Sequence, residues 1–458
     1  MTTHPIPPLS RGSTTWMIVR RILRLGTPLL AGKLSMYLYR LADSIMIGRL
    51  GVNALAGIAV ATVYTAVHEM FIWPTALGTQ AIASRRFGRE HHNRRAPAVR
   101  EVLPQAVYAG LVAGSFAAGL SLFAGILVPQ FAAAATEDAV GYVRISRLAF
   151  PAMGFAAGLR GYLAAVHRTR IIMAGIVVSN IANVALNAVF IFGLGPAPAL
   201  GVRGAAIGTV AAHILNALIL TVAVLTTRID RAISLRPSPV MVRRILAIGF
   251  PVAIQNATAM AVILGYQWIL GSIGAVYQAV THVLFSAFRL NKTLVGGFAN
   301  GASILVGNAL GRQEQDHARA VVRAQQIVAG TIGIVVFLCV TVVPHLVADL
   351  FSLTGAAREI LEVGLRFFAP FFLIEVLGYS LEIIFTHNGW GRFVLASEVS
   401  TNILGIIVLS SVAVFLLGWG YRGAWAGFAL YQLTHALMLY GGFRSGRWVD
   451  ISVEEHDA

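Results

Sequence analysis

The sequence predicts an all-α integral membrane protein with twelve transmembrane helices, arranged as two parallel six-helix lobes related by a pseudo-two-fold axis along the membrane normal. Three observations predict it. The 458 residues are 57% hydrophobic and only 12% charged, with a mean hydropathy of +0.75, whereas a soluble domain carries about 25% charged residues. Twelve apolar runs are each long enough to cross about 30 Å of hydrocarbon, which takes about 20 helical residues. The chain also repeats itself. Residues 21–28 read RILRLGTP and residues 244–251 read RILAIGFP, and the same shift of 223 aligns Gly51 with Gly274, Gly78 with Gly301, and Gly88 and Arg89 with Gly311 and Arg312. Further on the register is 219, which sets GVRGAAIG at 201–208 on GYRGAWAG at 420–427 and Asn183 on Asn402. Six spans per half keep both halves in one orientation, so the repeat is parallel; an inverted repeat would need an odd number.

The first lobe, residues 1–226, holds spans at 16–47, 54–84, 102–128, 142–166, 171–192 and 205–226. Its first apolar segment is too long for a cleavable signal and lacks a small-residue cleavage site, so it is read as a span that serves as its own insertion signal. Pro28 lies inside this span, where a proline removes one backbone hydrogen bond and permits a bend. It is a candidate hinge, with a static kink as the other reading, and Pro251 holds the equivalent place in the second half. In span 3, Gly114, Ala118 and Gly125 are small residues of the kind that let helices approach closely in lipid.

Arg85, Arg86, Arg89, Arg94, Arg95 and Arg100 follow span 2, and Arg228, Arg231 and Arg236 follow span 6. Cytoplasmic loops collect such arginines, so both termini are expected in the cytoplasm, with the chain multi-pass in a cell membrane, the bacterial inner membrane being the expected one. The net charge of +16 is then a topology signal, and no nucleic-acid partner is expected. Residues 227–242, with Pro237 and Pro239, form a cytoplasmic linker. The second lobe, 243–458, holds spans at 245–270, 275–309, 320–347, 361–385, 395–417 and 424–443, followed by a short cytoplasmic tail. The single Cys339, inside span 9, excludes an internal disulfide and any cysteine metal site. No metal or cofactor is expected, and the protein is expected to be a monomer whose partners are the bilayer and a small-molecule substrate.

Chemistry is sought where polar residues interrupt the apolar spans. Asp43 lies in LYRLADSIMIG in span 1. A carboxylate at that depth costs several kcal/mol unless it is paired, hydrated or protonated, which makes it a functional candidate; the competing reading is an ion pair with Arg40. Tyr39 precedes Asp43 by one helical turn and shares its face. Asn183 and Asn187 repeat that spacing in span 5, and Thr209 and His213 repeat it in span 6. Oxygen-bearing side chains on three helices suit a hard cation or a protonated carboxyl network, although asparagine and threonine also simply tie helices together. In the second half, span 7 has no acid and carries Gln255, Asn256 and Gln267, while span 10 has Glu375 and Glu382 seven residues apart on one face. These two glutamates are a candidate substrate or second proton site; the alternative is pairing with Arg366, Arg289 or Lys292. His213 and His282 read as core histidines.

The first-span Asp43 followed by MIGRLG, AIASRRFG closing span 2, GLRGYLAAVHRTR at 158–170, the NxxNxxLNxxFIFG pattern from Asn180 and the GVRGAAIGT opening of span 6 together resemble the multidrug and toxic compound extrusion (MATE) family. The likeness runs in order from about residue 20 to 444. It implies two six-helix lobes in a V and export of amphipathic, usually cationic compounds in exchange for protons or sodium ions. It also implies that Asp43, Tyr39, Asn183, Asn187 and Thr209 bind the coupling cation. Asn187 departs from the branches that have Asp there; with Asp43 left as the only acid of the pocket, a proton is favoured over sodium. Substrate is expected between the lobes, beside apolar and aromatic residues such as Phe71, Trp73, Phe285, Phe288 and Phe298, although each of these taken singly reads as packing rather than lining.

Three rivals are weighed against an antiporter. A flippase for a lipid-linked precursor, from the same superfamily, would need a more cationic cavity, which Arg40, Arg289 and Lys292 leave open. A membrane enzyme lacks support from any histidine–carboxylate cluster, metal-ligand spacing or nucleophile motif. A major-facilitator transporter would carry inverted triplets nested in each half, and none is visible. The duplication fails at the chemistry: Asp43 meets Tyr266 under the 223 shift, and Asn187 meets Ile406 and Thr209 meets Phe428 under the 219 shift. The coupling ion is therefore expected in the first lobe only.

Overall fold

The computed structural model describes residues 14–50, 52–92, 98–127, 136–226, 234–351 and 353–453. Gly51, Arg94, Arg95, Arg228 and Arg231, and the side chain of Arg40, lie outside the described residues. The described residues are overwhelmingly helical and contain no strand, as lipid demands, since an α-helix satisfies every backbone polar group within itself. Seven helical stretches among them are long and apolar enough to span a bilayer. The other expected spans are helical as well but are interrupted or carry charge. Among them α1 (Thr15–Gly48) contains Arg20, Arg21, Arg24, Lys33 and Asp43, and α14 (Gly355–His387) contains Glu362, Arg366, Glu375 and Glu382.

Close packing divides the described chain into two units, one within residues 27–253 and one of residues 14–26 with those within 254–453. The divisions fall inside two long proline-bearing helices. One lies between Gly26 and Thr27 in α1, beside Pro28; the other lies between Ala253 and Ile254 in α10 (Pro239–Ile273), beside Pro251.

The first unit contains α2 (Val52–Ile72), α3 (Pro74–His92), α4 (Val102–Leu120), α5 (Ala124–Leu127), α6 (Thr136–Ser146), α7 (Ala149–Ala165), α8 (Thr169–Phe192) and α9 (Gly201–Leu225). The expected span 54–84 is two helices, because Pro74 disfavours helical geometry at Trp73 and opens a new helix. The expected span 142–166 is likewise split, at Arg147 and Leu148 between α6 and α7. Helices α4 and α7 meet backbone to backbone. A Cβ on Gly110 would run into the carbonyl of Gly154, one on Gly114 into that of Phe150, and one on Gly158 into that of Ala106. Small residues supply association where lipid removes the hydrophobic drive. The described end of the linker, residues 234–238, is not helical and is fastened to α4: Gln105 Nε2 donates to the Arg236 carbonyl (2.9 Å), the Ser238 amide donates to Gln105 Oε1 (2.7 Å), and Tyr108 donates to the Leu235 carbonyl (2.6 Å). The opening turns of α10 lie against α3, where Gly78 faces the Ile245 carbonyl and Gly249 faces the Pro74 carbonyl.

The second unit contains α11 (Ala275–Gly311), α12 (Gln315–Val342), α13 (Pro344–Leu350), α14, α15 (Gly391–Thr401) and α16 (Gly420–Ser445). Beyond α15 the chain winds into wide π turns over Asn402–Leu409 and Val412–Leu416. Here Gly405 packs on Tyr431, and Ser410 donates to the carbonyls of Gly405 (3.3 Å) and Ala424 (3.2 Å). An aromatic core forms around Phe288, which stacks on Phe372 at 4.1 Å and is only 3% exposed. Phe288 therefore packs the helices, the reading favoured for each of these aromatics taken singly; Phe285 packs against the same cluster. The opening turns of α1 lie on α11, with Gly301 against the Ile22 carbonyl and Gly26 against Phe298.

Candidate ion and substrate sites

In the first unit, α1, α8 and α9 bring four of the expected residues into one hydrogen-bonded network. Asn187 Nδ2 donates to Asp43 Oδ1 at 2.7 Å and also lies 3.1 Å from Asn183 Oδ1, and Asn183 Nδ2 donates to Thr209 Oγ1 at 3.4 Å. With its amide turned over, Asn183 instead donates to Asp43 Oδ1 at 3.1 Å and accepts from the Thr209 amide at 3.3 Å. Thr209 is anchored by its hydroxyl to the Ala205 carbonyl at 2.9 Å.

The glycines of the GVRGAAIGT motif explain how α9 comes so near. A Cβ at Gly208 would strike Asn187 Oδ1, and one at Gly204 would strike the Phe190 carbonyl. Asn183 and Asn187 are buried, at 2% and 0% exposure, and Asn187 Oδ1 has no hydrogen-bond partner. A buried acceptor left unmatched costs about 1–3 kcal/mol.

A small cavity, with room for a few water molecules at about 40 Å³, reaches Asn183 and Thr209 and is also lined by Tyr39, His213, Trp73, Glu69 and Arg160. Tyr39 therefore faces the shared space. The charges are a surprise: the acid that lines this cavity is Glu69, which sequence reasoning passed over, and Asp43 is not among its lining residues. Glu69 accepts from Trp73 Nε1 at 3.3 Å, and the Arg160 guanidinium lies 4.4 Å over the Trp73 ring. Tyr142 of α6 was also missed; it is 8% exposed and interacts with Thr209, Asp43 and Tyr39. Asp138 and Ser146 lie one turn to either side of it, so the helical spacing did carry a signal.

Among the described residues the second unit lacks a copy of this network. Tyr266, in the place of Asp43, is fully buried and donates to the Ala424 carbonyl at 2.9 Å. Tyr266, Ile406 and Phe428 belong to one apolar core. What the second unit has instead lies on other positions. Glu375 accepts from Asn291 Nδ2 at 3.0 Å and Gln432 Nε2 at 3.2 Å, and its Oε1 lies 3.7 Å from Lys292 Nζ. Glu382 accepts from Gln255 Nε2 at 2.7 Å. Of the three bases considered as partners for this pair, Lys292 is the one that reaches it; Arg366 turns to Glu362 at 3.9 Å, and Arg289 donates to Ser286 Oγ at 3.0 Å.

A twice-repeated helical membrane fold with a carboxylate–amide network in one unit and a buried charged cluster in the other defines a secondary transporter. The chain belongs to the MATE transporters: the family profile described as MatE matches residues 28–189 and 251–411. It is similar to the probable multidrug resistance protein NorM of Thermotoga maritima, at 24% identity over 94% of this chain and 93% of that protein. It is 27% identical to the protein of the same name from Deinococcus radiodurans, over 98% and 100%. The fold is that of a MATE crystal structure in the bent conformation, with a TM-score of 0.84 at 21% identity over 95% of this chain and 97% of that one. It is equally that of a transporter of the MOP superfamily from Pyrococcus furiosus, with a TM-score of 0.83 at 20% identity over 97% and 100%.

Proposed function

We propose that this protein is a proton-coupled multidrug antiporter that exports amphipathic, mostly cationic compounds, with Asp43 as the residue that takes the coupling proton. The observation that carries the reading is the 2.7 Å contact of Asn187 Nδ2 with Asp43 Oδ1 beside the unmatched Asn187 Oδ1. An amide N–H toward the carboxylate suits a charged Asp43. Once Asp43 is protonated, its O–H needs an acceptor, and rotation of the Asn187 or Asn183 amide offers one. A sodium ion would need several oxygens turned inward together, whereas here a nitrogen faces the only first-unit carboxylate in the network. The relatives named multidrug resistance proteins support the cargo class.

The proton drives export only through its different affinity for the two access states. Pro28 would allow α1 to bend as the network rearranges, carrying Asp43 with it. The protein is assigned to the cell membrane with both termini in the cytoplasm, acts as a monomer, and performs no enzymatic step.

Ethidium efflux from proteoliposomes, under separately imposed proton and sodium gradients, tests this directly. The proton gradient alone is expected to drive efflux, and Asp43→Asn is expected to insert normally yet lose at least about tenfold of the rate, which corresponds to about 1.4 kcal/mol of coupling or more. Unchanged efflux in Asp43→Asn, or efflux driven by sodium alone, would sink the proposal.

A further inference from the structure

The charged cluster of the second unit contains a third carboxylate that neither the motifs nor the spacing announced. Glu398, on α15, is 8% exposed, and its Oε2 has no hydrogen-bond partner. It lies close to Glu382 and Lys292, with Gln255 and Asn402 facing its carboxylate. Four helices thus converge three acids on one base: Lys292 from α11, Glu375 and Glu382 from α14, and Glu398 from α15, with Gln255 from α10 between the last two. All three carboxylates act electrostatically on the Lys292 ammonium. If all are ionised, one ammonium leaves two negative charges uncompensated in a buried setting, where each isolated charge costs several kcal/mol.

The ammonium is loosely held for such company. Its nearest carboxylate oxygen is 3.7 Å away, its side chain is 33% exposed, and Nζ lies 5.3 Å from the centre of the Tyr379 ring. The slot that opens beside it is lined by Lys292, Glu375, Glu382, Tyr379 and Gln432, and has space for about one water, roughly 10 Å³. Carboxylates around an aromatic face are the elements that recognise an alkylammonium. Glu375 and Glu382 line the slot and Glu398 stands beside Glu382, and the described residues hold no group of three acidic, His or Cys side chains arranged to bind a metal ion, so the three acids do not close on a single point.

We propose that Glu375, Glu382 and Glu398 form a binding site for an alkylammonium group, which Lys292 occupies from within as a tethered resident cation. An incoming substrate ammonium takes the place of the lysine, whose exposed stem is free to swing aside. The exchange step rests on the cationic cargo proposed above, but the site itself does not. Emptying the site by truncating Lys292 leaves a vacancy shaped for a short primary ammonium.

The test uses the full-length protein in detergent. Lys292→Ala is expected to melt several degrees below wild type, and propylammonium chloride is expected to restore most of that loss, while equal concentrations of sodium chloride or tetramethylammonium chloride are not. The rescue is expected to disappear in Lys292→Ala/Glu398→Gln. A Lys292→Ala protein indifferent to propylammonium, or rescued equally by sodium, overturns the assignment. Should the variant fail to fold, acetylation of Lys292 in wild type, read by mass spectrometry, decides the matter. Labelling is read relative to the N-terminal amine of the same sample, because propylammonium itself consumes the reagent; that ratio is expected to rise several-fold over sodium chloride of equal strength, and an unchanged ratio overturns the proposal. Because neither readout involves transport, a wild type that moves no drug while the rescue holds would refute the antiporter and leave the ammonium site standing.

Discussion

Asn187 is the residue at which the first unit departs from the acid found in some branches of the family, and it also carries the unmatched oxygen beside Asp43. Restoring a carboxylate there tests the proposed preference for a proton. Asn187→Asp removes the N–H that faces Asp43 and sets two acids within a hydrogen bond of each other. Two such carboxylates cannot both ionise without a counter-ion. Sodium-driven ethidium efflux is therefore expected to appear in this variant at a rate comparable to its proton-driven efflux; a variant that remains strictly proton-driven would mean that Asn187 does not decide the ion. Asp43, Asn183, Asn187 and Thr209 were legible in the sequence because each breaks an apolar run at helical spacing. Glu69, Tyr142, Arg160 and Glu398 were not: each reaches its site across helices, and the residues one turn from three of them, Thr65, Ser146 and Asn402, are of the kind that also simply tie helices together.

At the scale of the element, most helices could be read from hydropathy, but their interruptions could not. A helix broken at Pro74, or at Arg147 and Leu148, keeps the apolar composition of an unbroken span, and the π turns after Thr401 arise from close packing of Gly405 on Tyr431. Helix α1 presents the opposite case, a proline inside a helix that remains continuous over 34 residues. An interior proline costs roughly 3 kcal/mol in a helix, and here it falls two residues from the division between the units. Pro28→Ala restores the missing donor to the Arg24 carbonyl and straightens the local preference. It is expected to melt at or above the wild-type temperature and to bind ethidium within about threefold, while efflux falls by about tenfold, equivalent to about 1.4 kcal/mol on the transport step. Wild-type efflux in Pro28→Ala would make the residue a static kink.

The whole molecule was legible as a duplication, because a repeat of 223 residues survives in glycines and arginines whose backbone packing tolerates little change. What homology could not reveal is that each unit borrows from the other repeat. Gly78 and Gly249 pack α3 against the opening of α10, and their counterparts Gly301 and Gly26 pack α11 against the opening of α1. Neither half of the sequence therefore holds all the helical surface that its own unit buries. Severing the backbone between residues 230 and 231 tests this at the scale on which it acts. The fragment 1–230 lacks residues 239–253, so the backbone of α3 at Gly78 and Pro74 loses the facing carbonyls and methylenes of Ile245 and Gly249. The fragment 231–458 lacks residues 14–26, which cover Gly301 and Phe298. These contacts are between backbones, and in lipid no hydrophobic collapse replaces them, because acyl chains are as apolar as the side chains they would meet. Co-expressed fragments are expected to associate and give a monodisperse, protease-resistant protein that still effluxes ethidium, whereas either fragment alone is expected to aggregate in detergent and be digested at α3 or α11. A fragment 1–230 that is monodisperse and protease-resistant by itself would show that the opening of α10 is dispensable to the first unit, and that the paired glycines serve some purpose other than holding it.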